Sequence, residues 1–320
     1  MCYNSGIMAG RKKTLSFLLK FTFSLAVLTF VLSKASLAEI GRTLGGATWG
    51  WLVVAFSLNA VGLLIRAYRW RILALAQGDD LPLLYLFRSC LVGEFFNNFL
   101  PTRFGGDMVR IWDGSRQSKS LVRSSAIVIV ERMSGILILF LFALAASLLR
   151  LEMVRRVPVI GASLLLGVGG FSAVGLFFLP AIGRWLKRVP ERGPLRRVKI
   201  KAAEFRAVIV GFKDRPRAFL KATVWAFFLQ LNVIVYYFLI GKALHLNVPL
   251  TDYFVFIPLV LLIQLVPISI NGLGLREAAY IEVFRFYGVG RASALSFSFV
   301  EIAFGLLVSI AGGILYATRK

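Results

Sequence analysis

Two arginines each stand nine residues after a proline in otherwise apolar surroundings: Arg110 after Pro101, and Arg276 after Pro267. Each closes a Pro-x4-Gly-x3-Arg pattern whose glycine is Gly106 or Gly272. Arginine offers a planar fork of donors matched to phosphate and carboxylate oxygens, so either residue could hold an anion at depth. Acids lie close by, Asp107 three residues before Arg110 and Glu277 directly after Arg276. Two more glutamates sit inside long apolar runs, in the echo Val130-Glu131-x3-Gly135-x-Leu137 and Val300-Glu301-x3-Gly305-x-Leu307. A charge at such depth is costly without a partner and marks function by default. The arginines therefore either bind an anionic headgroup or staple their own segments through Asp107 and Glu277. The glutamates are either counter-ions or proton-coupling sites, and pairing with the motif arginines satisfies both. Arg132 adjoins Glu131, but neighbouring helix positions face apart, so those two are not expected to pair.

The elements that must carry these residues are broken apolar segments. Gly105 and Asn271, four residues after each proline, are types that accept left-handed backbone. A break exposes amides and carbonyls that a continuous helix would pair. A short helix starting there would aim its N-terminal amides and dipole at an anion such as a lipid phosphate. The run from Leu81 to Leu100 carries Arg88, Glu94, Asn97 and Asn98, too polar for a lipid-facing helix. It suits a hairpin that enters and leaves by one face, with Glu94, Asn97 and Asn98 as lining. Gln264, Ser269 and Asn271 are the matching lining of the second break. Non-helical backbone at membrane depth needs such cover from protein or a watery cavity.

Composition supplies the setting. With 58% hydrophobic residues and a mean hydropathy of +0.78, the chain is more apolar than a soluble domain. Several runs reach the ~20 residues needed to cross a hydrocarbon core. The expected fold is all-α and polytopic, a single integral membrane domain over residues 1–320. Full spans are expected at about 14–33, 49–65, 124–148, 158–180, 219–240 and 292–317, with two broken or re-entrant hairpins between them. Six to eight spans result, depending on whether the hairpin arms cross fully. The first run, preceded by Arg11-Lys12-Lys13 and followed by Ser36-Leu37-Ala38, resembles a cleavable signal, but is taken as a retained span.

Charge placement orients the chain. The formal charge of +23 is spread over short stretches between apolar runs, as orientation in a membrane requires. Nucleic acid is excluded as the partner, and anionic lipid is the expected counter-charge. The N-terminus, the Arg66–Arg71 collar, a basic linker over 184–217 and the C-terminus are assigned to the cytoplasmic side of the cell membrane. Residues 184–221 hold 13 Lys and Arg against three acids. Val198, Ala202, Phe205, Ile209 and Phe212 form one stripe there, suited either to the headgroup layer or to packing on the protein itself. Two repeat halves, 14–150 and 157–317, then have opposite orientation, the arrangement of an inverted repeat with its site near midplane.

Other chemistry has little material. Cys2 and Cys90 are far apart, His245 is the only histidine, and no metal site or cofactor is expected. Asp79-Asp80 follows Gly78 and precedes Pro82, as in a turn. No phosphate-loop, HExxH or nucleophile-elbow motif occurs, so the chain is expected not to be an enzyme.

The ordered motifs resemble one family. They are Glu94-x2-Asn97-x2-Leu100-Pro101-x3-Gly105-Gly106-Asp107-x2-Arg110, then Glu131-Arg132-x2-Gly135, then Pro267-x-Ser269-x2-Gly272-x-Gly274-x-Arg276-Glu277, and the closing Gly312-Gly313. Together they look like the lysylphosphatidylglycerol synthase transmembrane region family, also called flippase-like or UPF0104 proteins. Asn271 stands where glycine is more usual. In members fused to an aminoacyl-transfer domain, the membrane part is taken to move the modified phospholipid between leaflets. This chain carries no such soluble domain, so the resemblance implies a flippase for an anionic or lipid-linked headgroup, with phospholipid as partner. The alternatives are an integral membrane transferase, or an accessory to a separate lipid-modifying enzyme.

Overall fold

The computed structural model describes residues 36–99, 105–149, 210–264 and 272–319, with isolated positions 29, 161 and 168. Among these residues the chain is helical throughout: α1 (Leu37–Gly45), α2 (Trp49–Ala76), α3 (Leu83–Phe99), α4 (Gly105–Ser118), α5 (Leu121–Leu149), α6 (Pro216–Ala243), α7 (Leu250–Ile263), α8 (Leu275–Arg285) and α9 (Arg291–Thr318). A 3-10 turn, Phe212–Asp214, precedes α6. Four helices (α2, α5, α6 and α9) are long and apolar enough to cross a membrane. The protein is a polytopic helical membrane protein. The expected spans at 14–33 and 158–180, and most of the 184–217 linker, lie outside the described residues.

Local sequence explains several boundaries. Ser36 opens α1 by accepting from the Glu39 amide at 3.3 Å, so the stretch that resembled a cleavage site is a helix cap. Pro216 sits in the first turn of α6, where its missing N–H costs nothing. Gly274 enters α8 at φ +82°, and its amide donates to Glu277 Oε2 at 2.6 Å. That is the back-reaching half of a capping box.

Helices α2 and α6 form the centre and run antiparallel. The Thr48 amide donates to Ala243 O at 2.9 Å at one end. Asn232 Nδ2 donates to Leu58 O at 3.1 Å midway, and Arg69 Nε to Ala222 O at 3.2 Å at the other end. Close approach is possible because Gly62 faces Leu229 and Asn232.

From opposite ends of this pair the chain enters two hairpins. The first, α3–α4, returns to the end where α2 finishes: Tyr85 near its entry donates to Asp113 O near its exit at 2.9 Å. At its tip the Gly106 amide donates to Asn97 Oδ1 at 2.8 Å. The second, α7–α8, starts where α6 finishes and folds back likewise, with the Phe256 and Phe284 rings 5.4 Å apart. At 17 and 14 residues, α3 and α4 reach about 25 and 21 Å, short of a hydrocarbon core of about 30 Å. Each hairpin's first arm packs on the helix that follows the other hairpin, α3 on α9 and α7 on α5. Gly312 and Gly313 make the first contact close, facing Leu91 and Phe95.

Two expectations change. The Arg66–Arg71 stretch is not a surface collar, because α2 continues to Ala76 and buries Arg69 and Trp70 at 2% and 0% exposure. Gly105 is not left-handed; it is the first residue of α4. Among the described residues of the second break, Gly272 and Gly274 are left-handed, at φ +78° and +82°. Phe212, the last member of the amphipathic stripe, is buried against the protein, the second of the two readings open for that position.

Candidate functional site

The first hairpin delivers Arg110 to a buried cluster of charge. Its guanidinium forms an ion pair with Glu131 of α5. It also lies 3.6 Å from Asp107, one turn earlier on its own helix. The Trp70 ring of α2 covers it, with 4.6 Å from guanidinium to ring centroid, a contact that suits a delocalised cation. Arg132 pairs with Asp107, as the helix geometry that turns it from Glu131 allows. Arg69, also from α2, places Nη1 3.9 Å from Glu131 Oε1. Its Nη2 donates to Glu131 O and to Ser134 Oγ, both at 2.8 Å. One turn earlier on α2, Arg66 pairs with Glu94 of α3. Four guanidinium groups thus meet three carboxylates.

The second cluster has the opposite balance. Arg276 donates to Glu277 Oε1 through Nε at 3.1 Å and Nη2 at 2.7 Å. Its Nη1 donates to Glu301 Oε1 of α9 at 3.2 Å. Glu277 is fully buried and also accepts from Ser298 Oγ at 2.7 Å. Glu301 accepts from Tyr237 of α6 at 2.8 Å and Tyr280 of α8 at 2.9 Å. One guanidinium serves two carboxylates. The arginines also differ in placement. Arg110 is the sixth residue of α4 and Arg276 the second of α8, so only Arg276 stands in a first helical turn.

Helix α9 joins the two hairpins. Ser298 and Glu301 hold the second, while the Gly305 carbonyl and Ser309 Oγ accept from Asn98 Nδ2 of the first. Ser309 in turn donates to Glu94 O at 3.1 Å. These positions recur at spacings of three or four and so share a helix face.

Of the residues singled out in the sequence, Glu94, Asp107, Arg110, Glu131 and Arg132 meet in the first cluster, and Arg276, Glu277 and Glu301 in the second. Asn97, Asn98, Gly105 and Gly106 build the first hairpin's tip and its seam with α9. Gly272 shapes the second break, its α-carbon facing Gln264. Ser269 and Asn271 lie outside the described residues, as do 100–104, so the lining expected of the two breaks is described only in part. Arg66, Arg69, Trp70, Tyr237 and Tyr280 escaped the sequence reasoning. A helical signal existed for two of them, since Gly62, Arg66 and Arg69 fall on one face. Asp79 pairs with Arg123 at 2.9 Å and Asp80 with Arg71 at 3.4 Å, beside the left-handed Gly78. His245 is exposed in a connection, 3.3 Å from Thr48 Oγ1. Among the described residues no group of three or more His, Cys, Asp or Glu is placed to hold a metal.

Residues 17–313 match the family described as lysylphosphatidylglycerol synthase TM region. No curated protein matches the chain significantly.

Proposed function

The chain belongs to the lysylphosphatidylglycerol synthase TM region family, whose members are membrane proteins of lipid modification or transport, and from that premise we propose that it is a flippase for anionic or lipid-linked headgroups. The observation that carries this is the surplus of guanidinium over carboxylate in the first cluster. Arg110 Nε, buried, has no acceptor among the described residues. A phosphate could displace Glu131 or Asp107 from this cluster and leave the cations paired. At 4 Å and an effective dielectric of about 20, one such pair is worth on the order of 4 kcal/mol. A phosphate that takes over such a contact regains a Coulomb term of the same order.

An inverted repeat fits the same function. Helices α2 and α6 would be the equivalent second spans of its halves, and they pack antiparallel. The hairpins α3–α4 and α7–α8 enter from opposite ends, and each leans on the other half's last helix. In this arrangement each half would carry a gate to one face. The N-terminus, the 184–217 linker and the C-terminus would lie in the cytoplasm, the side that their basic residues favour.

The test is translocation of fluorescent phosphatidylglycerol in vesicles holding the purified full chain, read by quenching of the outer leaflet. Arg110→Ala should abolish the protein-dependent rate while the variant still folds, and Arg110→Lys should not restore it, since lysine lacks the planar fork. Chemical modification of the lipid without translocation would favour the transferase reading. Undiminished translocation by a folded Arg110→Ala variant would reduce the arginine to a staple.

A further inference from the structure

The duplicated glutamates occupy unlike surroundings. Glu131 has two guanidinium groups within 4 Å, from Arg110 and Arg69. Glu301 has one, from Arg276, and shares it with Glu277. Glu277 holds the better share. It takes both Arg276 Nε and Nη2, the Gly274 amide and the Ser298 hydroxyl, at the N-terminal end of α8 where the helix dipole favours an anion. Its oxygens are saturated and it is fully buried. Glu301 is left with a single guanidinium nitrogen and two phenols, and its side chain is 13% exposed against 4% for Glu131. With both carboxylates ionised, this cluster holds one negative charge too many for a site that excludes water.

We propose that Glu301 is the proton-binding carboxylate of this protein and that its protonation frees Arg276 for an anionic headgroup. The geometry favours a proton over a larger cation because all contacts to Glu301 are already made. Tyr237 and Tyr280 are donors to the ionised carboxylate, but a phenol also accepts, and its hydrogen rotates freely. A proton from the aqueous phase bonds to a Glu301 oxygen, one tyrosine turns from donor to acceptor, and no heavy atom has to move. The carboxyl then no longer competes for Arg276 Nη1, which can turn to a phosphate oxygen. Anion and proton thus bind together, and by linkage each raises the affinity for the other.

No other charge described near Glu301 removes the surplus. On α8 the facing groups are Arg276, Glu277 and Tyr280, and on α6 they are Tyr237 and its neighbour Tyr236, which feels the Glu301 charge. From α3, Glu94 is taken by Arg66, and from α4, Asp113 is taken by Arg319 at the far end of α9. On α1, which also packs on α9, Glu39 and Arg42 are exposed. The break at 265–271 contains no Lys or Arg.

The coupling rests on the transport reading above, whereas the proton site does not, and two measurements on the full chain in vesicles keep them apart. The first is the infrared difference spectrum between acidic and alkaline buffer without transported lipid. A protonated-carboxyl C=O band should rise in acid in the wild type, persist in Glu131→Gln, vanish in Glu301→Gln and shift in Glu301→Asp. The aspartate variant serves if the glutamine variant does not fold. The second is the rate of fluorescent phosphatidylglycerol translocation against pH. It should fall with rising pH, approaching roughly tenfold per pH unit, the slope given by one bound proton, and become flat in Glu301→Gln. A band that survives Glu301→Gln, or that vanishes with Glu131→Gln instead, overturns the proton site. A pH-independent rate in the wild type overturns the coupling. A wild type that shows the band but moves no lipid sinks the transport reading and leaves the proton site standing.

Discussion

Gly106→Ala should unseat Arg110 without touching a charge. At the hairpin tip a Cβ on residue 106 would lie 2.7 Å from Asn97 Oδ1 and press harder still on the Gly93 carbonyl. Ordinary van der Waals contact begins near 3.4 Å, so α3 and α4 must part by the better part of an ångström. The obstacle at Gly93 is backbone, which cannot rotate away. Overpacking of this kind costs about 1–3 kcal/mol. Separation also stretches the bond from the Gly106 amide to Asn97 Oδ1, worth about 1 kcal/mol. Better helix propensity returns at most about 1 kcal/mol. A net loss of about 1–3 kcal/mol remains, lodged in the element that positions Arg110 and Asp107. The matched control is Gly50→Ala, where nothing lies within 4 Å and stability should hold or rise slightly. Unfolding of the purified chain by denaturing detergent, followed by tryptophan fluorescence, measures both. A Gly106→Ala protein as stable as Gly50→Ala would refute the close α3–α4 approach and the hairpin built on it.

Three further outcomes follow from the same contacts. Arg69→Met keeps the length of the side chain but removes its three hydrogen bonds; it should destabilise by about 3–5 kcal/mol as a broken buried charge cluster, and a loss under about 1 kcal/mol would return Arg69 to the surface. Gly272→Ala forces a side chain into φ +78° with Gln264 Cγ 3.0 Å away, a strain of about 1–3 kcal/mol; an unchanged unfolding midpoint would refute that backbone. Asn98→Ala and Ser309→Ala remove the two ends of one contact, so a double-mutant cycle should give a coupling of about 0.5–1.5 kcal/mol, and strict additivity would separate α3 from α9.

The sequence disclosed the helical class, the two broken hairpins and most of the residues at the clusters, because these are local signals: proline and glycine at the breaks, charge inside apolar runs. Arg69 was misread for an instructive reason. Positive residues at the end of a span are ordinarily surface anchors, and that rule assigned the whole 66–71 stretch at once. A helix sends Arg69 and Arg71 in different directions, and only the partners Ala222 and Ser134, distant in sequence, decide which turns inward. Tyr237 and Tyr280 stayed hidden likewise, since aromatic residues in apolar helices are common and their shared contact with Glu301 is made in three dimensions. Gly272 and Gly274 take the left-handed turn into α8, a role that the proline spacing alone did not single out.

The imbalance of charge between the clusters was beyond the sequence, and it bears most directly on function. A duplicated chain with identical half-sites would hold an anion equally well at both, and nothing would favour its passage. Here the two clusters differ in opposite senses. The first includes Arg69 and Arg66 of α2. From α6 the second instead takes Tyr237, a neutral donor. On the proposed reading, the first cluster would attract an anion at all times, while the second would accept one only after its surplus negative charge is removed. A standing attraction at one end of the path and a conditional one at the other would give direction to a carrier whose two gates are built from the same motif.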